Sequence, residues 1–151
     1  MTIREATQED LKVLLEFEQG VVVAERPYNK TLIEGEIKYY DLPSLISSED
    51  ATLIVTEKDN EIVGCGYALI KQSEKDYNHF KKYAYLGFMF VKPEYRGQGI
   101  NQSIVEKLIN WSKEKGISEI RLDVYDQNES AVKAYEKVGF EPLLLTMRLK
   151  K

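Results

Sequence analysis

Arg96-Gly97-Gln98-Gly99-Ile100-Asn101-Gln102 sets a cation and two glycines directly before an apolar stripe at helical spacing, Ile100, Ile104, Val105 and Leu108. An apolar run from Tyr83 to Val91 precedes it, and Pro93 ends that run. Strand, glycine turn and helix start in this order leave backbone N–H groups at the turn without intrahelical partners. The helix dipole adds partial positive charge at the same place. Both favour an anion, so the segment predicts a phosphate-binding turn with Arg96 beside it. Glycine has no Cβ and lets a phosphate oxygen approach the backbone. The competing reading is a Gly-x-Gly turn that only joins strand to helix. A dinucleotide-dependent oxidoreductase would need a third glycine at position 102, where Gln102 stands, and successive parallel βαβ units from early in the chain.

A second segment, Asn128-Glu129-Ser130-Ala131-Val132-Lys133-Ala134-Tyr135-Glu136-Lys137-Val138-Gly139-Phe140, begins where a helix N-cap belongs. Asn is among the best caps, so Asn128 has a structural use whatever else it does. Tyr135 falls on the apolar stripe Ala131, Ala134 and Val138, which also suits a core tyrosine. Between the two segments, alternation puts Ile120, Leu122 and Val124 on one strand face and Arg121, Asp123 and Tyr125 on the other. Asp is depleted in strands, so Asp123 in mid-strand asks for a reason, either chemistry or a pairing with Arg121 or a lysine.

Together these segments resemble the GCN5-related N-acetyltransferase (GNAT) family. That family carries an Arg/Gln-x-x-Gly-x-Gly/Ala turn that binds the acetyl-CoA pyrophosphate, then an Asn, a Tyr seven residues later and a Gly-Phe at the helix end. Asn101 departs from the small residue usual at the last turn position, although its backbone N–H is still available. The resemblance covers the whole chain in element order and is motif-grade from about Leu86 to Phe140. It implies an acetyl-CoA-dependent N-acetyltransferase, with acetyl-CoA as donor and a primary amine as acceptor. The backbone of Met89, Phe90 and Val91 would bond the pantetheine arm, as would Asn128. Gly97, Gln98, Gly99, Ile100, Asn101 and Gln102 would wrap the pyrophosphate beside Arg96. The Tyr135 hydroxyl would give a proton to the departing CoA thiolate. Asp123 stands where ribosomal-protein N-terminal acetyltransferases of the family place a Glu as base. A CoA-binding module without turnover is the alternative.

The elements that must position these groups follow from pattern. Thr2 to Ala6 reads as a strand, and Thr7-Gln8-Glu9-Asp10 caps a helix that runs through Leu11, Leu14 and Leu15. A second helix is predicted from about Thr31 to Tyr40. Ala51–Glu57 and Glu61–Lys71 read as strands joined by Lys58-Asp59-Asn60, a hairpin signal. Tyr83–Val91 is apolar on both faces, as a central strand should be. A helix from about Gly99 to Lys115 follows, then a strand Ile117–Tyr125, a helix Glu129–Val138 and a last strand Glu141–Leu149. The fold class is therefore α/β, one domain over residues 1–151. Its order is β-α-α-β-β-β-α-β-α-β, a mixed central sheet with helices on both faces, as the GNAT-like fold has it.

Composition bounds the function. At 151 residues and 43% hydrophobic the chain can bury a real core. A net charge of −4 and a pI of about 5.2 argue against a broad nucleic-acid interface, which needs a basic face. No segment approaches a membrane span or a signal peptide. A single cysteine, Cys65, fits a reducing compartment, so a cytoplasmic enzyme is expected. Cys65 and His79 have no motif partners, and no His/Cys/Asp/Glu cluster has metal-ligand spacing, so no metal is expected. The residues around Glu25, Arg26, Tyr28, Tyr39, Tyr40 and Tyr77 are the expected acceptor walls. A homodimer is left open.

Overall fold

The computed structural model describes residues 1–150. Five strands form one sheet in chain order: β1 (Thr2–Glu5), β2 (Ala51–Lys58), β3 (Glu61–Gln72), β4 (Lys82–Val91) and β5 (Ile120–Leu122). The first four are antiparallel, and β5 lies parallel to β4. The β2–β3 hairpin closes through Asp59 (φ 54°) and Asn60 (φ 64°), both left-handed, the geometry that matches strand twist in a two-residue turn.

Strand alternation divides the core between two helical layers. Leu53 and Val55 face α1 (Leu11–Glu25) and α2 (Leu42–Ser47), where Leu14, Phe17, Val21, Leu42 and Leu45 are buried. Ile54, with Val63, Ala68 and Leu86, faces α3 (Ile100–Glu114) and its stripe of Ile100, Ile104, Val105 and Leu108. α4 (Glu129–Val138) packs beside α3 through Tyr135 and Val138. Asp10 starts the first layer. Its carboxylate accepts from the Thr7 N–H at 2.8 Å and from Arg4 at 2.8 and 3.0 Å.

Three expectations need correction. Residues 31–40 form no helix, and the second helix is instead α2, capped by Asp41. The reason is Gly35 at φ 84° together with side chains of α1 that take the loop's backbone bonds. The buried Glu18 carboxylate accepts from the N–H groups of Tyr39 (2.8 Å) and Tyr40 (2.9 Å), and Gln19 Nε2 donates to the Ile37 carbonyl at 2.7 Å. The strand expected over 117–125 is only Ile120–Leu122, because β4 leaves it beyond Leu86. Residues 141–149 form no strand: their pattern is apolar, but no ladder receives them.

Candidate active site

The site begins with an irregularity in β4. Tyr67 faces Gly87 and Cys65 faces Phe90, so β4 carries one residue more than β3 between these pairs. Phe88 takes up the difference at φ 54°. A left-handed non-glycine residue costs about 1–2 kcal/mol, strain of the kind that collects at functional sites. Phe88 is held there by burial and by stacking on Tyr40 at 4.6 Å between ring centroids. Gly66 makes room opposite: a Cβ there would stand 2.7 Å from the Met89 sulfur and 2.8 Å from Ile104. The bulge bends β4, and its ladder to β5 ends at Leu86 and Leu122. Beyond that point Met89, Phe90 and Val91 have no β5 partner. Their outer edge opens into a wedge, and nothing in the one-residue pattern of Tyr83–Val91 signalled Phe88.

The wedge leads to the glycine turn. Pro93–Tyr95 makes a single 3-10 turn, then Gly97 (φ 76°) and Gly99 (φ 81°) turn the chain into α3. A Cβ at either glycine would meet nothing within 4 Å, so the space over the turn is open. Gly99 is the N-cap of α3 and has no side chain with which to satisfy the first-turn amides. The N–H groups of Ile100, Asn101 and Gln102 therefore face that space as donors at the positive end of the dipole. Arg96 Nε donates to the Val91 carbonyl at 2.9 Å and its guanidinium sits 5.7 Å from the Phe90 ring centre, which ties the turn to the wedge. Gln98 Oε1 accepts from Lys58 Nζ at 2.6 Å, bringing a second cation from the β2–β3 turn. Sequence reasoning missed Lys58, since nothing local links it to a turn forty residues on.

Asn128 caps α4: its Oδ1 accepts from the Ala131 N–H and from Ser130 Oγ, each at 3.3 Å. Tyr135 lies one helical face further on, half-buried, its ring edge-on to Phe140 at 6.1 Å. Burial raises its pKa, and the Asn101 side chain at its hydroxyl partly offsets this. Thus Tyr135 on α4 meets the first turn of α3, at the mouth of the glycine turn.

Asp123 sits just past the end of β5, exposed, not in mid-strand. Its Oδ2 accepts from the Tyr85 hydroxyl at 3.1 Å. Arg121 pairs instead with Glu119 at 2.9 Å and stacks on Phe80 and Tyr83, so the pairing considered for Asp123 is absent. Around Asp123 the walls are aromatic. Tyr67 and Tyr85 are 6.4 Å apart, and Tyr28 stacks on Tyr125 at 6.0 Å. Glu25 is half-buried here, and burial raises its pKa. The Tyr39 hydroxyl is buried without a hydrogen-bond partner among the described residues. Burial, then the nearby Glu25 carboxylate, raises its pKa to about 12. Burial and the Asp123 charge raise that of Tyr85. A cavity of about 230 Å³ under α2 shares Tyr39, Tyr40 and Tyr67 with these walls but does not include Asp123 or Tyr135. Cys65 is fully buried and burial pushes its thiol pKa well up, so it is no nucleophile. Among the described residues no group of three His, Cys, Asp or Glu side chains could hold a metal, and no helix is long and apolar enough to cross a membrane.

Residues 16–140, which include the wedge, the turn, Asn128 and Tyr135, match the acetyltransferase (GNAT) family. The chain belongs to that family. A thialysine N-epsilon-acetyltransferase from Bos taurus is 44% identical over 59 residues, 39% of this chain and 35% of that protein. The uncharacterized N-acetyltransferase MJ1207 of Methanocaldococcus jannaschii is 28% identical over 144 residues, 93% of this chain and 60% of its own length. The match thus spans about a third of one relative and three-fifths of the other. Among solved structures, a tetramutant of the BH1408 protein from Bacillus halodurans has a TM-score of 0.88 at 26% identity, covering all of both chains. A structure described as a predicted acetyltransferase with acetyl-CoA from Clostridium acetobutylicum shares the fold, with a TM-score of 0.76 at 21% identity over 99% of this chain and 95% of that one.

Proposed function

We propose that this GNAT-family chain is an acetyl-CoA-dependent N-acetyltransferase that moves acetyl to a primary amine by direct attack. The observation that carries the reading is the continuity of the β4 wedge, the uncapped α3 start and the Tyr135 hydroxyl. These offer one path for an extended arm ending in a pyrophosphate. The pyrophosphate would take the amides of Gly97 to Gln102, with Arg96 as the adjacent charge. The pantetheine would run along Met89, Phe90 and Val91 as an added strand, and Asn128 would reach it through its Nδ2 group, which the cap leaves free.

The thioester carbonyl would then lie between Tyr135 and Asp123. The ammonium acceptor gives a proton to Asp123, and the neutral amine forms the N–C bond. The C–S bond breaks, the CoA thiolate takes the Tyr135 proton, and the excess proton on nitrogen leaves to solvent. A thiol of pKa about 8.5 costs only ~2 kcal/mol to leave unprotonated at pH 7, which limits what Tyr135 contributes. A lysine-like amine of pKa about 10.4 is neutral roughly once in 2,500 at pH 7, so the base matters more. A cytoplasmic setting is part of the proposal, in keeping with the single reduced cysteine.

Calorimetric titration with acetyl-CoA and with NADH tests the reading, followed by thiol release over a panel of polyamines, aminoglycosides, amino acids and N-terminal peptides. Binding of acetyl-CoA alone, with turnover on at least one amine, is expected. Absence of acetyl-CoA binding ends the proposal; tight binding with no turnover on any amine favours a non-catalytic CoA-binding module.

A further inference from the structure

α1 ends on an adverse charge. Its last residue is Glu25 and its last turn carries no basic side chain, so a carboxylate stands at the negative pole of the helix dipole. The position is half-buried, which disfavours the charge further. Among the described residues Glu25 is in no ion pair. Arg26, the adjacent cation, is engaged elsewhere: its guanidinium donates to the carbonyls of Ile33 and Gly35. One cation arriving from outside would relieve the dipole, the burial and the missing partner together.

The surroundings suit an ammonium. The Tyr39 hydroxyl, buried and without a hydrogen-bond partner among the described residues, stands beside the Glu25 carboxylate. The Tyr85 hydroxyl is within reach of two negative charges: it donates to Asp123 Oδ2 at 3.1 Å, and Glu25 acts on it from further off. Two carboxylates therefore border one tyrosine wall, Asp123 from the end of β5 and Glu25 from the end of α1. The wall already carries an ammonium on one ring face. Lys71 Nζ lies 4.4 Å from the Tyr85 ring centre and, among the described residues, pairs with no carboxylate.

We propose that Glu25 holds a second cationic nitrogen of the acceptor, so that the preferred substrate is an aliphatic diamine lying along the tyrosine wall. The inference rests on the acetyl-transfer reading and names its substrate class. Only the nitrogen at Asp123 is acetylated. The nitrogen at Glu25 stays an ammonium, forms no covalent bond and fixes the reach of the chain. A monoamine would satisfy Asp123 and leave Glu25 as adverse as before.

Thiol release with saturating acetyl-CoA tests this on amines matched in carbon chain, cadaverine against pentylamine and putrescine against butylamine. In the wild type, kcat/KM should favour the better diamine over its monoamine by roughly tenfold or more, the order of one charge-assisted hydrogen bond. That exceeds the factor of two expected from two equivalent nitrogens. The ratio should collapse in Glu25→Gln and persist in Glu25→Asp, which keeps the charge; a purely structural role would lower both rates and leave the ratio. Should Glu25→Gln fail to fold, added sodium chloride decides, since screening should shrink the wild-type ratio. A ratio indifferent to salt, a ratio that survives in folded Glu25→Gln, or turnover of monoamines as good as that of diamines overturns the inference and leaves acetyl transfer standing. No turnover on any amine ends the acetyl-transfer reading and this inference with it.

Discussion

The side chain of Asn101, in the first turn of α3, meets the hydroxyl of Tyr135 on α4. The residue that departs from the family's small turn position is thus the one that touches the proposed acid. Burial raises the Tyr135 pKa and keeps the proton on oxygen, while the amide of Asn101 favours the phenolate and eases its departure. Tyr135→Phe removes only the hydroxyl, and turnover should fall by roughly 10²-fold with acetyl-CoA affinity near wild type. Asn101→Ala should raise the Tyr135 pKa further, read as an upward shift in its ultraviolet titration. Unchanged turnover in folded Tyr135→Phe would remove the acid role.

Gly99 and Gly116 make a matched pair. Both have positive φ, 81° and 80°, and neither would meet an atom within 4 Å through a Cβ. Gly99 starts α3 and Gly116 follows its C-cap, away from the glycine turn. Alanine at either should cost about 1–2 kcal/mol through backbone strain alone. Only at position 99 should CoA affinity also fall, since the new side chain would occupy the space over the first-turn amides. Equal affinities for Gly99→Ala and Gly116→Ala in thermal-shift titrations would mean that the pyrophosphate binds elsewhere.

What the sequence disclosed was local. The glycine turn, the Asn128 cap and the α3 stripe each lie within about a helical turn of the residues that define them, and the structure places them as read. What it hid depends on contacts across the chain. Phe88 is left-handed because β3 is one residue short against β4. Residues 31–40 are a loop because Glu18 and Gln19, a helix away, take their backbone bonds. Lys58 reaches the turn only through the β2–β3 hairpin. The apolar pattern of 141–149 was legible; that no ladder receives it is not written in the segment itself.

Acid stability should report the Arg4–Asp10 pair. Its hydrogen bonds from Arg4 hold the Asp10 carboxyl below the ordinary carboxylate pKa. A folded-state pKa below the unfolded one adds stability above the unfolded value, and that stability is lost as pH falls through the folded value. Melting temperature should therefore drop more steeply below about pH 4 in the wild type than in Asp10→Asn. At pH 7 the variant should be less stable by roughly 1–2 kcal/mol, the order of a charge-assisted hydrogen bond. Parallel acid limbs in the two proteins would assign acid sensitivity to other carboxylates.

Asp123→Asn separates base from wall, because the amide keeps shape and can still accept from Tyr85. For a lysine-like acceptor, deprotonation at pH 7 is a handicap of about 4.6 kcal/mol; for an α-amine of pKa near 7.8 it is about 1 kcal/mol. If Asp123 takes that proton, the variant should lose roughly 10²-fold or more in kcat/KM on lysine-like amines and far less on α-amines. Raising the pH should restore the loss about tenfold per unit, as solvent supplies the neutral amine. Glu25→Gln, measured beside it, should change KM more than kcat, since Glu25 lies among the tyrosine walls with Tyr39. A pH-dependent loss in Glu25→Gln with none in Asp123→Asn would move the base to Glu25, whose pKa burial raises.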